Sequence, residues 1–220
     1  MRKTTNSYRL YELTAGTMYL LCMVTSIAGG LLIEQTFNTG DILQAVSDHY
    51  GTLLLAAVFD VINAAGVIGI AVSFYCILKT KKPAMSAGYI CLRSMEAAFC
   101  LVVAMIPVVS VSLVKNGGNL SGNQEEWLRM LLFVRTEFWA YLYPIVFIAG
   151  AALFYSMLYM TKTVPAYIAI WGLLALAGVA AAVFMPAVKM IPGAGIIANE
   201  LYLGGYLLIK GVRTDEPAGA

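Results

Sequence analysis

The stretch SAGYICLRSMEAAFCLVVAMIPVVSVSLV, residues Ser86 to Val114, decides the fold of this chain. It is apolar over enough residues to cross the ~30 Å hydrocarbon core of a bilayer as an α-helix. Within it, Arg93 and Glu96 carry charge. An ionised group near the bilayer centre is costly and persists where it has a partner or a function. These two residues therefore mark the first candidate site.

The rest of the chain has the composition of a membrane protein. Of its 220 residues, 60% are hydrophobic and 12% are charged, and the mean hydropathy is +0.80. A soluble domain carries roughly 25% charged residues. Apolar runs recur along the chain, and we predict six spans at about 13–33, 52–78, 86–114, 131–160, 165–185 and 193–209. The fold class is therefore all-α, a polytopic bundle of six transmembrane helices.

We expect residues 1–213 to form this single bundle without a separate soluble domain. Residues 214–220 are too few and too polar to fold, so we expect a short disordered tail there. The net charge of +2 gives no reason to expect nucleic acid as a partner.

The basic residues are unevenly divided between the two sides of the predicted membrane. More of them lie on the side of the termini, which by the positive-inside rule places both termini in the cytoplasm. That side holds Arg2, Lys3, Arg9, Lys79, Lys81, Lys82, Lys162, Lys210 and Arg213, against Lys115, Arg129, Arg135 and Lys189 on the other.

Two loop segments on the non-cytoplasmic side carry local structure signals. Residues 39–46 are predicted to form a short amphipathic helix on the membrane surface, with Ile42, Leu43 and Val46 facing the lipid. Asn123 opens a sequence typical of a capping box, which predicts that the fourth helix begins before it enters the membrane.

Short motifs in four of the spans resemble those of a bacterial six-span family known as domain of unknown function 4386. The resemblance covers nearly the whole chain and implies a six-helix integral membrane protein, which we expect in the bacterial inner membrane. It implies no activity. Where that family tends to carry another basic residue after the proline of span five, this chain has Ala166 and Tyr167. The matching motifs are Ala15-Gly16-x-x-Tyr19-Leu20, Arg93-x-x-Glu96-Ala97-Ala98, Val164-Pro165 with Trp171-Gly172, and Asn199-Glu200-Leu201 with Leu208-Ile209-Lys210-Gly211-Val212.

Polar residues of two predicted spans share one depth. At 1.5 Å per residue from the cytoplasmic edge, Arg93 lies about 12 Å deep and Glu96 about 16 Å deep. Counted from the same edge along the last span, Glu200 lies about 14 Å deep and Asn199 about 15 Å deep. Arg93, Glu96, Asn199 and Glu200 therefore form a candidate binding or proton-linked layer near the midplane.

Charge balance within this layer leads to two interpretations. Glu200 is the expected partner of Arg93 across the bundle, because a bidentate guanidinium–carboxylate pair is the cheapest way to hold these charges in a low dielectric. One arginine cannot balance two carboxylates, so we expect Glu96 or Glu200 to be protonated at neutral pH. Alternatively, the layer is purely structural and holds the third span to the sixth.

A second polar layer is predicted nearer the other side of the membrane. It comprises Asp60, Asn63, Glu137 and Tyr141. These residues are either ordinary interfacial groups or the outer mouth of a path toward the first layer. Arg135 is two positions from Glu137 and so faces elsewhere on the helix, and we expect it to anchor at the headgroups.

The sequence offers no motif for metal or nucleophilic chemistry, so we predict no metal site, no catalytic residue and no cofactor. His49 is the single histidine and falls in a loop, where it is expected to be solvated. The cysteines, all inside predicted spans, are interpreted as buried small hydrophobic side chains and not as disulfides; they are Cys22, Cys76, Cys91 and Cys100.

The leading functional hypothesis is a binding or permease-like bundle that handles a small solute, an ion or a proton, with membrane lipid as its surroundings. Its first rival is a non-catalytic membrane subunit or sensor whose ionic layer only holds the bundle together. A second rival is a lipid-modifying enzyme that uses Glu96 or Glu200 as acid or base. The sequence does not indicate an oligomeric state.

Overall fold

The computed structural model describes residues 8–37, 41–116, 123–184 and 190–213, and every regular element within these ranges is helical. The tail at 214–220, residues 39 and 40 of the predicted surface helix, and the basic residues Arg2, Lys3 and Lys189 lie outside the described residues. The helices are α1 (Arg9–Phe37), α2 (Ile42–Asp48), α3 (Tyr50–Leu78), α4 (Pro83–Asn116), α5 (Gln124–Glu137), a π-helical turn (Phe138–Leu142), α6 (Tyr143–Thr161), α7 (Ala166–Phe184) and α8 (Met190–Ile209).

Local signals in the sequence explain where several helices begin and end. Asn123 caps α5, since its side chain accepts a hydrogen bond from the Glu125 amide at 3.1 Å. Asp41 caps α2 in the same way through the Gln44 amide. Lys162 ends α6 in the left-handed conformation with φ 53°. Five of the six predicted spans lie within observed helical segments, whereas the fifth, 165–185, extends slightly beyond α7.

Five helical segments are long and apolar enough to cross a membrane: Arg9–Phe37, Tyr50–Leu78, Pro83–Asn116, Gln124–Thr161 and Ala166–Val183. The apolar part of α8, Gly193–Ile209, is shorter. The fourth segment joins α5, the π-helical turn and α6. The chain is therefore an all-helical protein with several membrane-spanning helices.

The long helices pack in a closed ring. Each contacts the next one along the chain, from α1 to α3, α4, α6, α7 and α8, and α8 returns to contact α1. Close approach of α1 and α8 depends on Gly16 and Gly204, because a Cβ at Gly16 would lie 2.8 Å from the Gly204 carbonyl oxygen. Small residues allow such approach in lipid, where burial of apolar surface does not drive helices together.

Two sequence expectations about exposure are wrong. The short helix α2 does not lie on the membrane with an apolar face in lipid, because Ile42 and Val46 are buried within the protein against Leu53, Val111 and Leu128. The cysteines are free, as expected, but they are not all buried: Cys91 is exposed and Cys22 and Cys76 are half-buried. Cys91 lies on the outer surface of α4, where a bilayer would cover it.

Candidate functional site

A cavity of about 340 Å³ lies inside the ring of helices, and we call it the central cavity. All six long helical segments contribute to its walls. Its polar and aromatic lining includes Tyr19 and Ser26 of α1, Asn63 of α3, Arg93 and Glu96 of α4, Trp139 of the π-helical turn, Tyr143 and Phe147 of α6, and Glu200 of α8. Charged groups of the predicted first layer thus border a space large enough for a small ligand.

The tightest ion pair in this cavity is formed within one helix. Arg93 and Glu96 are three residues apart on α4 and so share a face. The Arg93 Nη1 donates to both carboxylate oxygens of Glu96, at 3.0 and 2.8 Å. The Tyr143 hydroxyl donates to Glu96 Oε1 at 2.9 Å. The side chains of Arg93 and Glu96 are buried, with exposed fractions of 4% and 1%. Water therefore contributes little to their hydrogen bonding.

Aromatic rings complete the surroundings of the guanidinium. Arg93 Nε donates to the Tyr89 hydroxyl at 3.2 Å. Arg93 Cζ lies 5.5 Å from the ring centroid of Tyr89 and 5.7 Å from that of Phe147. A cation within about 6 Å of an aromatic face is attracted by the ring quadrupole. Arg93 is therefore held by one acid, one hydroxyl and two rings.

Glu200 reaches the same arginine from across the bundle, but more loosely than the sequence analysis expected. Its Oε1 lies 3.9 Å from Arg93 Nη2, too far for a hydrogen bond. The expectation that Glu200 forms a bidentate pair with Arg93 is therefore wrong: the Arg93–Glu200 contact is a longer ion pair, and the short hydrogen bonds from Nη1 go to Glu96. The Glu200 side chain, 18% exposed, lines the central cavity with one carboxylate group that Arg93 does not fully engage.

Asn199 is the one member of the predicted layer that does not line the central cavity. Its Nδ2 donates to the Ile168 carbonyl oxygen at 3.0 Å, which joins α8 to α7. The residue is fully buried. Asn199 and Glu200 are adjacent, and adjacent side chains on a helix point to different faces. Depth counting placed them at one level but did not resolve this difference in direction.

Buried polar atoms without a hydrogen-bond partner among the described residues lie in this region of the protein. They are the hydroxyls of Tyr19 and Tyr155 and the Oδ1 of Asn199. Tyr19 is 3% exposed and lines the central cavity. A buried hydroxyl without a partner is costly, so such an atom indicates a place for water or a ligand.

A second cavity, of about 560 Å³, lies between α1 and α5, and we call it the α1–α5 cavity. Its lining includes Glu34, Asp60, Arg135 and Trp139. Ser26 and Trp139 line both cavities. The two spaces therefore adjoin at the π-helical turn.

Arg135 is a site residue that sequence reasoning misplaced. Its Nη1 and Nη2 both donate to Asp60 Oδ2 at 3.1 Å, and Nη1 also donates to the Val103 carbonyl oxygen at 3.0 Å. It is 6% exposed and does not anchor at the surface. The physical reason is its position in the segment Gln124–Thr161: Arg135 lies about 16 Å from the first residue of that segment, where it faces Asp60 of α3.

The other members of the predicted outer layer do not gather around this pair. Asn63 is buried one turn from Asp60 and its Nδ2 contacts Cys100 Sγ at 3.7 Å. Glu137 is half-buried and Tyr141 is 45% exposed. Neither of them lines the central cavity or the α1–α5 cavity. In the structure, Asp60 therefore pairs with the basic residue Arg135 and not with Glu137, the acid that the sequence analysis had grouped with it.

Sequence reasoning also missed a buried carboxylate at the start of the bundle. Glu12 is fully buried, and its Oε1 accepts a hydrogen bond from the Val212 amide at 2.9 Å. Arg9 contacts Glu12 at 3.3 Å and donates to the carbonyl oxygens of Leu207 and Leu208. The spacing of Arg9 and Glu12, the same i, i+3 as Arg93 and Glu96, was the available signal. These contacts fasten α1 to the end of α8.

The chemistry that the lining of the central cavity shows is ion pairing and hydrogen bonding. Glu96 is engaged by Arg93 and Tyr143, whereas Glu200 has capacity for another partner. Within the described ranges, no three His, Cys, Asp or Glu side chains come together in a group that could hold a metal ion.

Comparisons with known proteins give a family match whose description names no activity. No curated protein and no solved structure matches the chain with significant similarity. The family described as "Domain of unknown function (DUF4386)" matches residues 14–211. That range begins in α1 and ends just after α8, and it contains every residue of the central cavity. The chain therefore belongs to the family described as domain of unknown function 4386.

Proposed function

We propose that this protein is a binding or permease-like bundle that holds a small solute, an ion or a proton in the central cavity. The observation that carries the proposal is the position of Glu200, whose carboxylate lines a cavity of about 340 Å³ next to the Arg93–Glu96 pair. A purely structural ion pair needs no adjoining space. Intramembrane ionisable residues that face a cavity commonly mark solute or proton pathways.

The proposed setting is a bacterial inner membrane crossed six times, with both termini in the cytoplasm. The helix α8 has 20 residues, which corresponds to about 30 Å and matches the hydrocarbon core. The basic turn between α3 and α4 carries Lys79, Lys81 and Lys82, and the turn after α6 carries Lys162. Both turns would lie on the same side as the termini in a six-span arrangement, which agrees with the positive-inside rule.

The α1–α5 cavity supports a permease-like version of the proposal. It adjoins the central cavity at Ser26 and Trp139. Its own buried pair, Asp60 and Arg135, supplies charge of both signs along the way. A solute or a proton that enters between α1 and α5 would meet this pair first and the Arg93–Glu96 pair next.

A structural role is the second candidate, and two specific contacts favour it. The hydrogen bond from Tyr143 to Glu96 joins α6 to α4, and that from Asn199 to Ile168 joins α8 to α7. Such bonds hold a bundle together whether or not anything binds. The two candidates differ in whether water or solute reaches the cavity.

Thiol accessibility tests this difference. We would replace the four native cysteines with serine or alanine and introduce either Ile196→Cys or Leu203→Cys. Both positions lie on α8 and are buried, with exposed fractions of 6% and 0%, but Ile196 lines the central cavity and Leu203 packs in the core. Proteoliposomes would then be treated with a small charged methanethiosulfonate reagent.

We expect the cysteine at position 196 to be modified and the one at 203 to remain unmodified. Ionisation of the reagent prevents its partition into lipid, so reaction requires a water-filled path. If both positions stay unreactive from both sides of the membrane, the cavity is closed to water and the structural role is the correct one.

A further inference from the structure

Resting on the proposed solute-binding function, we propose that the central cavity selects a protonated amine with an apolar body. The ammonium group would lie against Glu200 and the Tyr19 hydroxyl, and the apolar body against the aromatic wall of α6. The proposal follows from the net negative charge of Arg93, Glu96 and Glu200, from the aromatic rings that line the cavity, and from the Tyr19 hydroxyl, which has no hydrogen-bond partner among the described residues.

The first argument is the charge balance of the lining. Arg93 already donates both of its shortest bonds to Glu96 and lies within about 6 Å of the centroids of two rings. Its positive charge is therefore matched and largely covered. Glu200 adds a second carboxylate at 3.9 Å from the same guanidinium. With both acids ionised, the three groups carry one net negative charge, which a cation or a proton must balance.

The second argument is the aromatic wall. Trp139, Tyr143 and Phe147 follow one another at four-residue spacing, so their rings lie above one another along the helix. The ring centroids of Trp139 and Tyr143 are 4.4 Å apart, and those of Tyr143 and Phe147 are 6.1 Å apart. All three line the cavity. An ammonium group beside such faces gains cation–π attraction, and an apolar body gains contact area.

The third argument is the Tyr19 hydroxyl. Tyr19 lines the cavity from α1, and its hydroxyl is buried and has no hydrogen-bond partner among the described residues. A hydroxyl oxygen accepts hydrogen bonds. A protonated amine carries several N–H donors, so it could donate hydrogen bonds both to this oxygen and to the Glu200 carboxylate. A carboxylate ligand would instead place a third negative group beside Glu96 and Glu200.

The size of the cavity limits the ligand. About 340 Å³ lies at the lower end of the roughly 300–1,000 Å³ found for small-molecule sites. Ile27 and Ile197 line the cavity, and they are 50% and 38% exposed. In this proposal, an amphipathic amine dissolved at the bilayer interface reaches the site past these two residues of α1 and α8.

Fluorescence of Trp139 provides the test, since it is one of three tryptophans and the one that lines the cavity. Trp127→Phe and Trp171→Phe in the full chain leave it as the sole emitter. The purified protein would be titrated with benzylammonium, benzyl alcohol and benzoate, which share a ring and differ in charge. The titrations would be repeated in Glu200→Gln and in Glu137→Gln, a matched acid that lines neither cavity.

We expect benzylammonium to change the emission saturably with a Kd at least about tenfold lower than that of benzyl alcohol, a difference typical of one favourable charge contact. Benzoate should bind more weakly than both. The tenfold preference should vanish in Glu200→Gln and persist in Glu137→Gln.

Other outcomes separate the ligand class from the proposed function. If benzoate binds as tightly as benzylammonium, or if Glu200→Gln keeps the preference, the cavity binds solutes but does not select amines. If none of the three probes gives a saturable change, both the amine proposal and solute binding fail. If Glu200→Gln does not fold, the comparison of benzylammonium, benzyl alcohol and benzoate on the protein with Glu200 intact is sufficient to test amine selectivity.

Discussion

At the scale of single residues, Arg93 interacts more closely with one of its two neighbouring carboxylates than with the other. Glu96 receives two hydrogen bonds from it, at 3.0 and 2.8 Å, while Glu200 lies at 3.9 Å. Loss of one partner from a buried pair leaves an uncompensated charge, which costs about 3–5 kcal/mol. A longer, partly exposed pair is worth about 1 kcal/mol or less.

We therefore expect Glu96→Gln to lower the free energy of unfolding by about 3 kcal/mol and Glu200→Gln by about 1 kcal/mol or less. Denaturant titration of the protein in detergent micelles, followed by circular dichroism, measures both. Equal losses in the two variants would show that Glu200 interacts with Arg93 as strongly as Glu96 does, which would contradict this prediction.

A second prediction concerns the buried ion pair of Asp60 and Arg135. The chain also contains an exposed ion pair, which serves as the comparison. The side chains of Arg135 and Asp60 are 8% and 5% exposed, whereas those of Arg129 and Glu125 are 58% and 43% exposed. In alanine double-mutant cycles we expect a coupling energy of about 2 kcal/mol for the buried pair and about 0.5 kcal/mol for the exposed pair. Similar coupling in both cycles would contradict the burial argument.

Much of the site could be predicted from spacing and depth, and the errors have a common cause. Arg93 and Glu96 are three positions apart, so their contact follows from helix geometry alone. The partner of Arg135 could not be found in this way, because Asp60 lies on another helix. Asn199 was misplaced since depth gives no information about the direction in which a side chain points.

At the scale of elements, the π-helical turn determines how the two cavities meet. The turn carries Trp139 into the wall that both cavities share. A π-helical turn inserts extra backbone into a helix and commonly lies at functional sites. The sequence contains Pro144 just beyond it but no signal that fixes its length.

We expect Trp139→Ala to open the passage between the two cavities. The modification rate of Ile196→Cys by a charged methanethiosulfonate, added from the side of the α1–α5 cavity, should rise severalfold because a large side chain no longer fills the shared wall. Trp171→Ala, on α7 and outside both cavities, provides the control. An unchanged rate at position 196 would show that the reagent arrives by another path.

A second element-scale prediction concerns the contact that joins α1 to the end of α8. Glu12 accepts the Val212 amide, and Gly211 just before it adopts φ +72°, a conformation that favours glycine. We expect Glu12→Ala to cost about 2 kcal/mol in unfolding free energy and to speed hydrogen exchange at the Val212 amide. Glu12→Gln keeps an acceptor oxygen and should cost less. If exchange at Val212 is the same in both variants, the amide does not depend on this side chain.

At the scale of the whole molecule, the closed ring is the feature that sequence could not predict. Long apolar runs gave the helices and most of their bounds. However, a helix that is apolar on all faces gives no periodic signal of which face is buried. The return of α8 to α1 depends on Gly16, Gly204 and the buried Glu12, none of which differs in type from residues that face lipid or solvent elsewhere.

The closed ring makes the course of α8 decisive for topology. If α8 crosses the membrane beside α1, the chain has an even number of spans and its two ends lie on one side. The 20 residues of α8 span about 30 Å, just the thickness of the hydrocarbon core. Alkaline phosphatase fusions report the side, because this enzyme forms its disulfides in the periplasm and not in the cytoplasm. We expect a fusion after Asn116 to be active and fusions after Lys82 and after Ala220 to be inactive. Activity at the C-terminal fusion would mean that α8 does not cross, and the six-span arrangement with its cytoplasmic termini would then be wrong.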